Sequence, residues 1–454
     1  MRVKDKVIKR LLGEPDRELR ELIGIMVEGR GPMFSGGMRE HFRIAKEKKG
    51  KYAAFGQALG ISVGGSNIKL MLAHTEKGAI VADHVRAQPN PDKMMHFYEF
   101  LDSFFLGDSC INRYITSCER PVIGFSIPTG MYNGTPYNPT KVPTIDGLIA
   151  RTVQEIPRPM LRLEDNLKRY LRVRGFPEAT LFCQSDGIVA HHGAVASSEV
   201  SPSDKTVLLV CGTGIATSDE ESYIQAGIIP YMTEDEELYP AGETEHYQIN
   251  YAAAGKGLFR LMHRAIRLCA DEADSALAGA GAEQFFTKPS DSRRVTEIWA
   301  SSLPGGAASK IAIQVKKGVG AAAYEVLKEL AGAIVMRSIS LMANCTAATI
   351  INTEAQLGER VNAVYFEGSM ASRPEIVPIL RHRIVRAMGS EDIYSPNGPG
   401  FAMAAQLEFV DKFWPIDNSS RLTEENKKEV DLTLIGSVSM AIAAACRDVN
   451  SRTQ

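Results

Sequence analysis

A chain of 454 residues is long enough for two or three domains, each with a substantial core. Hydrophobic residues make up 44% and charged residues 23%, and 52 basic against 54 acidic side chains leave a formal net charge of −2. With no surplus of positive charge to meet phosphates, neither a nucleic acid nor an anionic membrane surface is expected as a partner.

Seven cysteines (Cys110, Cys118, Cys183, Cys211, Cys269, Cys345 and Cys446) are dispersed without a CxxC pair. That spacing argues against a disulfide framework and a structural zinc site, and a reducing, cytoplasmic setting is expected. The first 31 residues are charged throughout and lack the apolar core of a signal peptide. No run of about 18 apolar residues occurs, so no membrane span is expected.

In chain order, residues 3–29 carry Val7, Leu11, Leu12, Leu19, Leu22, Ile23 and Met26 at helical spacing, which predicts an amphipathic helix. The polar, basic stretch from Gly29 to Lys51 reads as a solvated connector, so residues 1–52 form an N-terminal helical segment and linker. Ala58 to Val63 reads as a strand entering the turn Gly64-Gly65-Ser66-Asn67, with a second strand from Ile68 to His74. Strand, glycine turn, strand is a hairpin, unlike the strand-to-helix turn of a Rossmann or P-loop site. Helical pattern returns from Met94 to Phe105, followed by a strand from Pro121 to Ser126.

A loop rich in Pro, Gly, Asn and Thr runs from Pro128 to Gly147, and a loop this long is more often functional than accidental. Leu161 to Arg172 is helical; Thr180 to Gln184 is a short strand opening onto Ser185-Asp186-Gly187, with helix beyond from Ile188 to Ser197. Thr206 to Cys211 is a buried strand ending in the turn Gly212-Thr213-Gly214. Helices follow at Gly257 to Ala270, Ala322 to Thr349 and Pro374 to Met388, and a strand from Val361 to Phe366 runs into Glu367-Gly368-Ser369. The boundaries are a smaller lobe over 53–205, a larger one over 206–410, and a C-terminal helical extension over 411–454. In that extension Leu432 to Cys446 reads as a helix packing on the body or on another subunit, which leaves room for a homodimer.

Glycine turns after strands direct backbone amides at phosphates, although a plain tight hairpin has the same signature. Asp186 has two readings. At the end of a strand its carboxylate can accept the proton of a hydroxyl that attacks a phosphoryl group, or it can cap the following helix. His191-His192 faces two directions on its helix, so one surface and one buried histidine is expected in place of a metal pair. Ala252 to Gly257 suits a phosphate or a tight helix entry.

Taken in order, these pieces resemble the hexokinase family, sugar kinases of the actin-like ATPase superfamily, of which the chain would be a divergent member. Val63-Gly64-Gly65-Ser66-Asn67-Ile68-Lys69 is similar to the family's first phosphate motif, DLGGTNLR. Gly124-Phe125-Ser126-Ile127-Pro128 is similar to its sugar loop, and Thr140-Lys141 to the Thr-Lys further along. Ser185-Asp186-Gly187 falls where the family has Asn-Asp-Thr, and Cys211-Gly212-Thr213-Gly214 matches the second phosphate motif. Glu367-Gly368-Ser369-Met370 resembles the adenosine motif, and Gly398-Pro399-Gly400 a later glycine motif.

The resemblance implies an α/β, two-lobed actin-like ATPase (ribonuclease H-like) fold, with mixed sheets flanked by helices and a cleft between lobes. It implies a soluble enzyme of carbohydrate metabolism, of the kind that serves glycolysis, transferring a phosphoryl group from ATP to a hexose or related sugar. Gly64, Gly65, Ser66, Asn67 and Lys69 would face the ATP phosphates with Gly212, Thr213 and Gly214; Gly368 and Ser369 would lie against adenosine. Ser126, Pro128, Thr140, Lys141, Ser185 and Asn250 would bind the sugar, Asp186 would be the general base, and Lys141 would join it in the catalytic set. Mg2+ would be held mainly through the ATP phosphates.

The departures fall on the sugar and metal sides. Ser62 replaces the aspartate that helps hold magnesium, Ser185 replaces a sugar-binding Asn, and Asn250 stands where a glutamate belongs. Glu236, Glu243 and Glu245 lie in an acidic run that reads as a solvated loop. Lys69 keeps the charge of the usual Arg without its fork. These changes favour a second reading, a non-catalytic sensor of sugar or nucleotide. A third, an actin-like or acyl-CoA-activating ATPase, predicts no sugar loop, so Gly124 to Pro128 and Thr140-Lys141 count against it.

Overall fold

The structure, a computed structural model, describes the chain apart from residues 1–2, 28–32, 36–37, 48–54, 65–66, 90–94, 129–130, 133–134, 137–144, 147–161, 199, 213, 225, 227–237, 239–248, 272–274, 389–406, 411–421 and 453–454. The chain divides into two units that each draw on several separate stretches. One unit comprises Met1–Met33, Val207–Thr217 and Ile224–Asp411; the other comprises Phe34–Thr206, Ser218–Tyr223 and Lys412–Gln454.

In the first unit, the helix expected over 3–29 is two helices, Val3–Leu12 and Pro15–Val27. Gly13 at φ +59° and Pro15 make the break, because a left-handed glycine ends a helix and proline opens the next one. Val7, Leu11, Leu19 and Leu22 are buried, and both helices pack on the long helix Ala321–Leu357. Arg337 of that helix is fully buried and forks onto the Glu18 carboxylate, one arm at 2.6 Å, while also donating to the Leu12 carbonyl. Burial pushes Glu18 up and Arg337 down, each against its partner's opposing charge. Residues up to Val27 are therefore part of the first unit's core and not a separate segment.

The helix Ala321–Leu357 is long and apolar enough to cross a membrane, yet most of it is buried inside the protein, as befits a core helix. The helix expected from Ala322 to Thr349 is thus present and runs on to Leu357, and Ser, Thr and Asn interrupt its apolar run. Four strands of a six-stranded sheet lie mainly in this unit, in the order Ile215–Ser218, Lys205–Cys211, Val361–Glu367, Glu408–Val410. Their apolar residues join the helices in one core around Leu209, Val364, Phe366 and Ile334.

The second unit holds a five-stranded sheet in the order Thr180–Ser185, Val122–Ile127, Ala58–Val63, Asn67–Glu76, Ala79–Pro89. The first three strands are parallel, and Asn67–Glu76 is antiparallel to both its neighbours. Alternation along the strands gives the sheet two different faces. Leu59, Ile61, Ile123 and Phe125 join an aromatic cluster built by Phe97, Phe100, Phe104, Phe105 and Tyr170. Gly60 and Gly124 lie on the opposite face, against the helix Leu432–Arg452. A Cβ on Gly124 would stand 1.9 Å from the Ser437 carbonyl, so only glycine lets the helix come this close. The segment read as a helix packing on the body or on another subunit is thus the covering layer of this sheet.

The polar stretch before Lys51 is likewise not a bare connector. It contains a strand, Met33–Ser35, and a helix, Arg39–Lys46, that buries His41, Phe42, Ile44 and Ala45. Lys46 reaches 2.5 Å from Glu220, which also accepts from the Thr206 amide at 2.9 Å and hydroxyl at 3.0 Å. Five consecutive charged or glycine positions after it masked this short apolar face. His191 and His192 are both fully buried, against the expectation of one on the surface. Their helix, Asp186–Ala196, is enclosed on every side from Gly187 to Val195, and packs against Leu432–Arg452 and Arg39–Lys46. His191 meets the Thr206 hydroxyl at 2.8 Å and the Ser218 hydroxyl at 3.1 Å; His192 meets the His41 carbonyl at 3.0 Å.

Two predictions follow from these buried groups. Burial lowers His41 to about 4 and His191 to about 3, helped by Arg447 and Lys46 respectively. Unfolded histidine titrates near ~6.5, so below that pH the unfolded chain binds protons that the folded chain refuses. Stability is fully present above pH ~6.5 and is lost as pH falls towards about 4. Thermal melts across this window should show Tm falling with pH, and His41→Phe should flatten the slope, since it keeps the ring and removes the titrating nitrogen. Separately, Arg337→Leu leaves Glu18 buried without its partner and should cost about 3–5 kcal/mol in denaturant unfolding, whereas Lys4→Ala, at the partly exposed pair with Glu329, should cost less than ~1 kcal/mol.

Candidate active site

In the second unit the expected hairpin is present. Val63 pairs with Ile68, and the Gly64 amide donates to the Asn67 carbonyl at 2.8 Å; Gly65 and Ser66 lie outside the described residues. Asn67 is exposed at the start of its strand. Ser62, just before the turn, pairs with Lys69 across the hairpin and with Ser126 on the parallel side, and Ser126 pairs with Gln184. The carboxyl ends of the three parallel strands therefore bring Ser62, Ser126 and Ser185 together, with half-buried Pro128 and Asp186 just beyond. Open α/β sheets characteristically bind ligands beyond such strand ends.

Ser62, Ser126 and Ser185 are all buried. The Ser126 hydroxyl makes a long bond of 3.4 Å to the Ile61 carbonyl, and the Ser185 hydroxyl has no hydrogen-bond partner among the described residues. Gln184, which sequence reading passed over, steadies this end: its Oε1 accepts from the Ser185 amide at 2.9 Å. Ser185 occupies the N-cap position of the helix, with extended backbone, and Asp186 is the first helical residue, only partly buried. Lys69 is held by Asp431 at 2.8 Å and Glu429 at 3.4 Å. Burial alone would lower its pKa, but the two carboxylates outweigh that and raise it. No local pattern announces this pairing, because the partners lie at opposite ends of the sequence.

Thr140, Lys141, Thr213, Glu236, Glu243, Glu245 and Gly398 to Gly400 lie outside the described residues. Asn250 is placed in a short helix, Ile249–Ala253, at the level of its backbone.

In the first unit three separate stretches converge on Cys211-Gly212. The Gly212 amide donates to the Gly214 carbonyl at 3.0 Å, closing the turn, and the Gly212 carbonyl accepts from the Gly255 amide at 2.8 Å. Ala252 to Gly257 thus forms a tight helix entry seated on the turn, at the start of the helix Gly255–Ala270. The Met370 amide donates to the Cys211 carbonyl at 2.9 Å. Gly368 has φ +97°, and a Cβ there would lie 2.4 Å from the Cys211 carbonyl oxygen. A Cβ on Gly212 would face Ser369, with its hydroxyl 3.8 Å away. Turn, helix start and Gly368-Ser369 therefore form one half-buried, small-residue surface, and turns of this kind are able to offer backbone amides to phosphates.

No protein-family model matches the sequence, and no curated protein matches it. Comparison of the structure with solved ones is decisive for the fold. A crystal structure titled as hexokinase is similar over 98% of this chain and 99% of its own, with a TM-score of 0.63 and 14% identity. A hexokinase from Schistosoma mansoni complexed with glucose is similar over 98% and 99%, with a TM-score of 0.58 and 13% identity. The chain has the hexokinase fold. This is the actin-like ATPase architecture of mixed sheets flanked by helices that the sequence motifs implied.

The convergence on Cys211 can be tested without any ligand. Gly368→Ala forces a side chain into a left-handed backbone against a carbonyl, and should lower unfolding stability by about 1–3 kcal/mol in urea titration. Gly305→Ala, at φ +75° with open space around it, should cost only ~1 kcal/mol.

Proposed function

We propose that the protein is an ATP-dependent sugar kinase that phosphorylates a hydroxyl of a hexose or related sugar, with Asp186 as general base. The observation that carries this reading is the placement of Asp186 in a hexokinase fold. It follows directly on the strand Thr180–Ser185, whose end it shares with Ser126 and Ser62, while Ser185 takes the N-cap position. A partly buried carboxylate there can take the proton of a sugar hydroxyl as that oxygen attacks phosphorus. Ser126, Ser185 and Pro128 would line the sugar side, joined by Thr140, Lys141 and Asn250. The buried Ser185 hydroxyl, which has no hydrogen-bond partner among the described residues, supports this, since a sugar hydroxyl would satisfy it.

The nucleotide side fits on independent grounds. Gly368 leaves backbone where a side chain would crowd, and Gly212 stands beside it in a closed turn, so Gly212, Thr213 and Gly214 would hold phosphates and Gly368-Ser369 the adenosine, with Gly64, Gly65, Ser66 and Asn67 contributing from the hairpin. ATP supplies the phosphoryl group, and Mg2+ on its phosphates neutralises their charge. Ser62 offers no charge to that ion, so the metal would rest mainly on the nucleotide. Lys69, already engaged with Asp431 and Glu429, would act on phosphates only by leaving them.

Those same two residues favour a second reading, a sugar or nucleotide sensor that has lost turnover. ATP consumption with magnesium against a panel of hexoses, amino sugars and polyols separates the two. The kinase reading expects sugar-dependent turnover that falls by on the order of a hundredfold or more in Asp186→Ala, with sugar binding retained. Sugar or nucleotide binding without turnover in the parent protein would sink the kinase reading and leave the sensor. In that case Ser62→Asp is the substitution that should restore activity.

A further inference from the structure

We propose that His84, Asp108 and Cys110 form a binding site for a borderline divalent transition metal, zinc(II) foremost. The site stands at the far edge of the second unit's sheet from Asp186 and is independent of the kinase reading. His84 lies on the edge strand Ala79–Pro89, Asp108 is the N-cap of the helix Ser109–Ser117, and Cys110 is in that helix's first turn. One donor atom from each residue lies within 4.8 Å of the others. Two elements distant in sequence thus present a nitrogen, an oxygen and a sulfur to one point.

The carboxylate is oriented in advance. Asp108 Oδ1 accepts from the Cys110 amide at 3.0 Å and the Ile111 amide at 3.1 Å, which turns Oδ2 towards His84 Nε2, 2.9 Å away. Asp108 is buried, and a carboxylate locked by backbone amides is the kind of support that fixes metal ligands. Cys110 is the exposed cysteine of the seven, and its sulfur already lies within 4.8 Å of the other two donors.

The mixed donor set selects the ion. Magnesium and calcium take oxygen, whereas zinc accepts imidazole, carboxylate and thiolate together, with water in a fourth position. Zinc bonds of about 2.0–2.3 Å put tetrahedral ligands roughly 3.3–3.6 Å apart, so His84 and Asp108 need only separate by about half an ångström. On binding, the thiol proton leaves to solvent, and the proton between His84 and Asp108 moves to Nδ1, leaving Nε2 to the metal. Arg86, whose guanidinium lies 3.6 Å from Asp108 Oδ2, supplies the positive charge in the metal-free protein and would swing outwards. The ion would clip the edge strand to the helix. Sequence spacing hides the site because it holds one thiol.

Cobalt(II) titration of the full-length protein tests this directly. We expect one equivalent to bind with a thiolate-to-cobalt absorption band and to be displaced by zinc. The band should vanish in Cys110→Ser, and affinity should fall more than about tenfold in His84→Ala. Arg86→Ala, which removes a competing cation and no ligand, should tighten binding and keeps the test open if a ligand variant folds poorly. Absence of a thiolate band, a band that persists in Cys110→Ser, or affinity unchanged in His84→Ala would overturn the proposal.

Discussion

Glycine where a helix crosses a sheet and a second helix, so that main chains come close, is the constraint on which the second unit rests. The helix Leu432–Arg452 meets the strands at Gly60 and Gly124, and meets the helix Asp186–Ala196 where its Gly436 faces the Val189 carbonyl and Gly193 faces the Leu432 carbonyl. This contact covers one face of the sheet and fixes the helix that begins with Asp186. It also places the Ser437 hydroxyl 3.4 Å from the same Ile61 carbonyl that Ser126 reaches. Ser62, Ser126 and Ser185 owe their common location to register in the sheet, and the sheet admits the helix on its other face through glycine. Interiors packed to this density leave no room for adjustment, so the strand ends inherit their precision from a contact one layer away.

The first unit reaches a comparable end by different means. Its organising atom is the Cys211 carbonyl, approached by Gly368 and bonded by the Met370 amide, with the neighbouring Gly212 carbonyl taken by Gly255. Polar backbone groups account for one another around a turn that must stay free of side chains. Elsewhere in the same unit a charged pair, Arg337 and Glu18, is buried among apolar helices to anchor the amino-terminal helices. Such a pair stabilises little in net terms, but leaves only one arrangement in which neither charge is stranded.

What could be read from sequence was whatever repeats at short range. Strand alternation and glycine turns located Ala58–Val63, the hairpin, Thr180–Ser185 and the turn at Gly212, and their order implied the fold. What was missed depends on partners distant in sequence. The helix Arg39–Lys46 looks polar until Glu220 claims Lys46 and His191 and His192 claim Phe42. His191 and His192 look amphipathic until helices on both sides enclose them. Lys69 looks like a phosphate ligand until Asp431 and Glu429 are seen beside it. In each case the deciding energy is a desolvated charge or ring finding its complement, and periodicity carries no record of that.

The order in which the chain is made gives the closing helix a further consequence. The sheet of the second unit is complete once Thr180–Ser185 has been synthesised, but the layer that covers its glycine face starts only at Leu432. Between them the ribosome produces nearly all of the first unit. Throughout that interval a glycine-lined sheet face stands open in the nascent chain, and the loop that must finally close over it is among the longest the sequence permits. Closure entropy grows only slowly with such length, so the final state loses little by it. The nascent protein bears the cost instead, as a long interval in which the sheet lacks its covering layer.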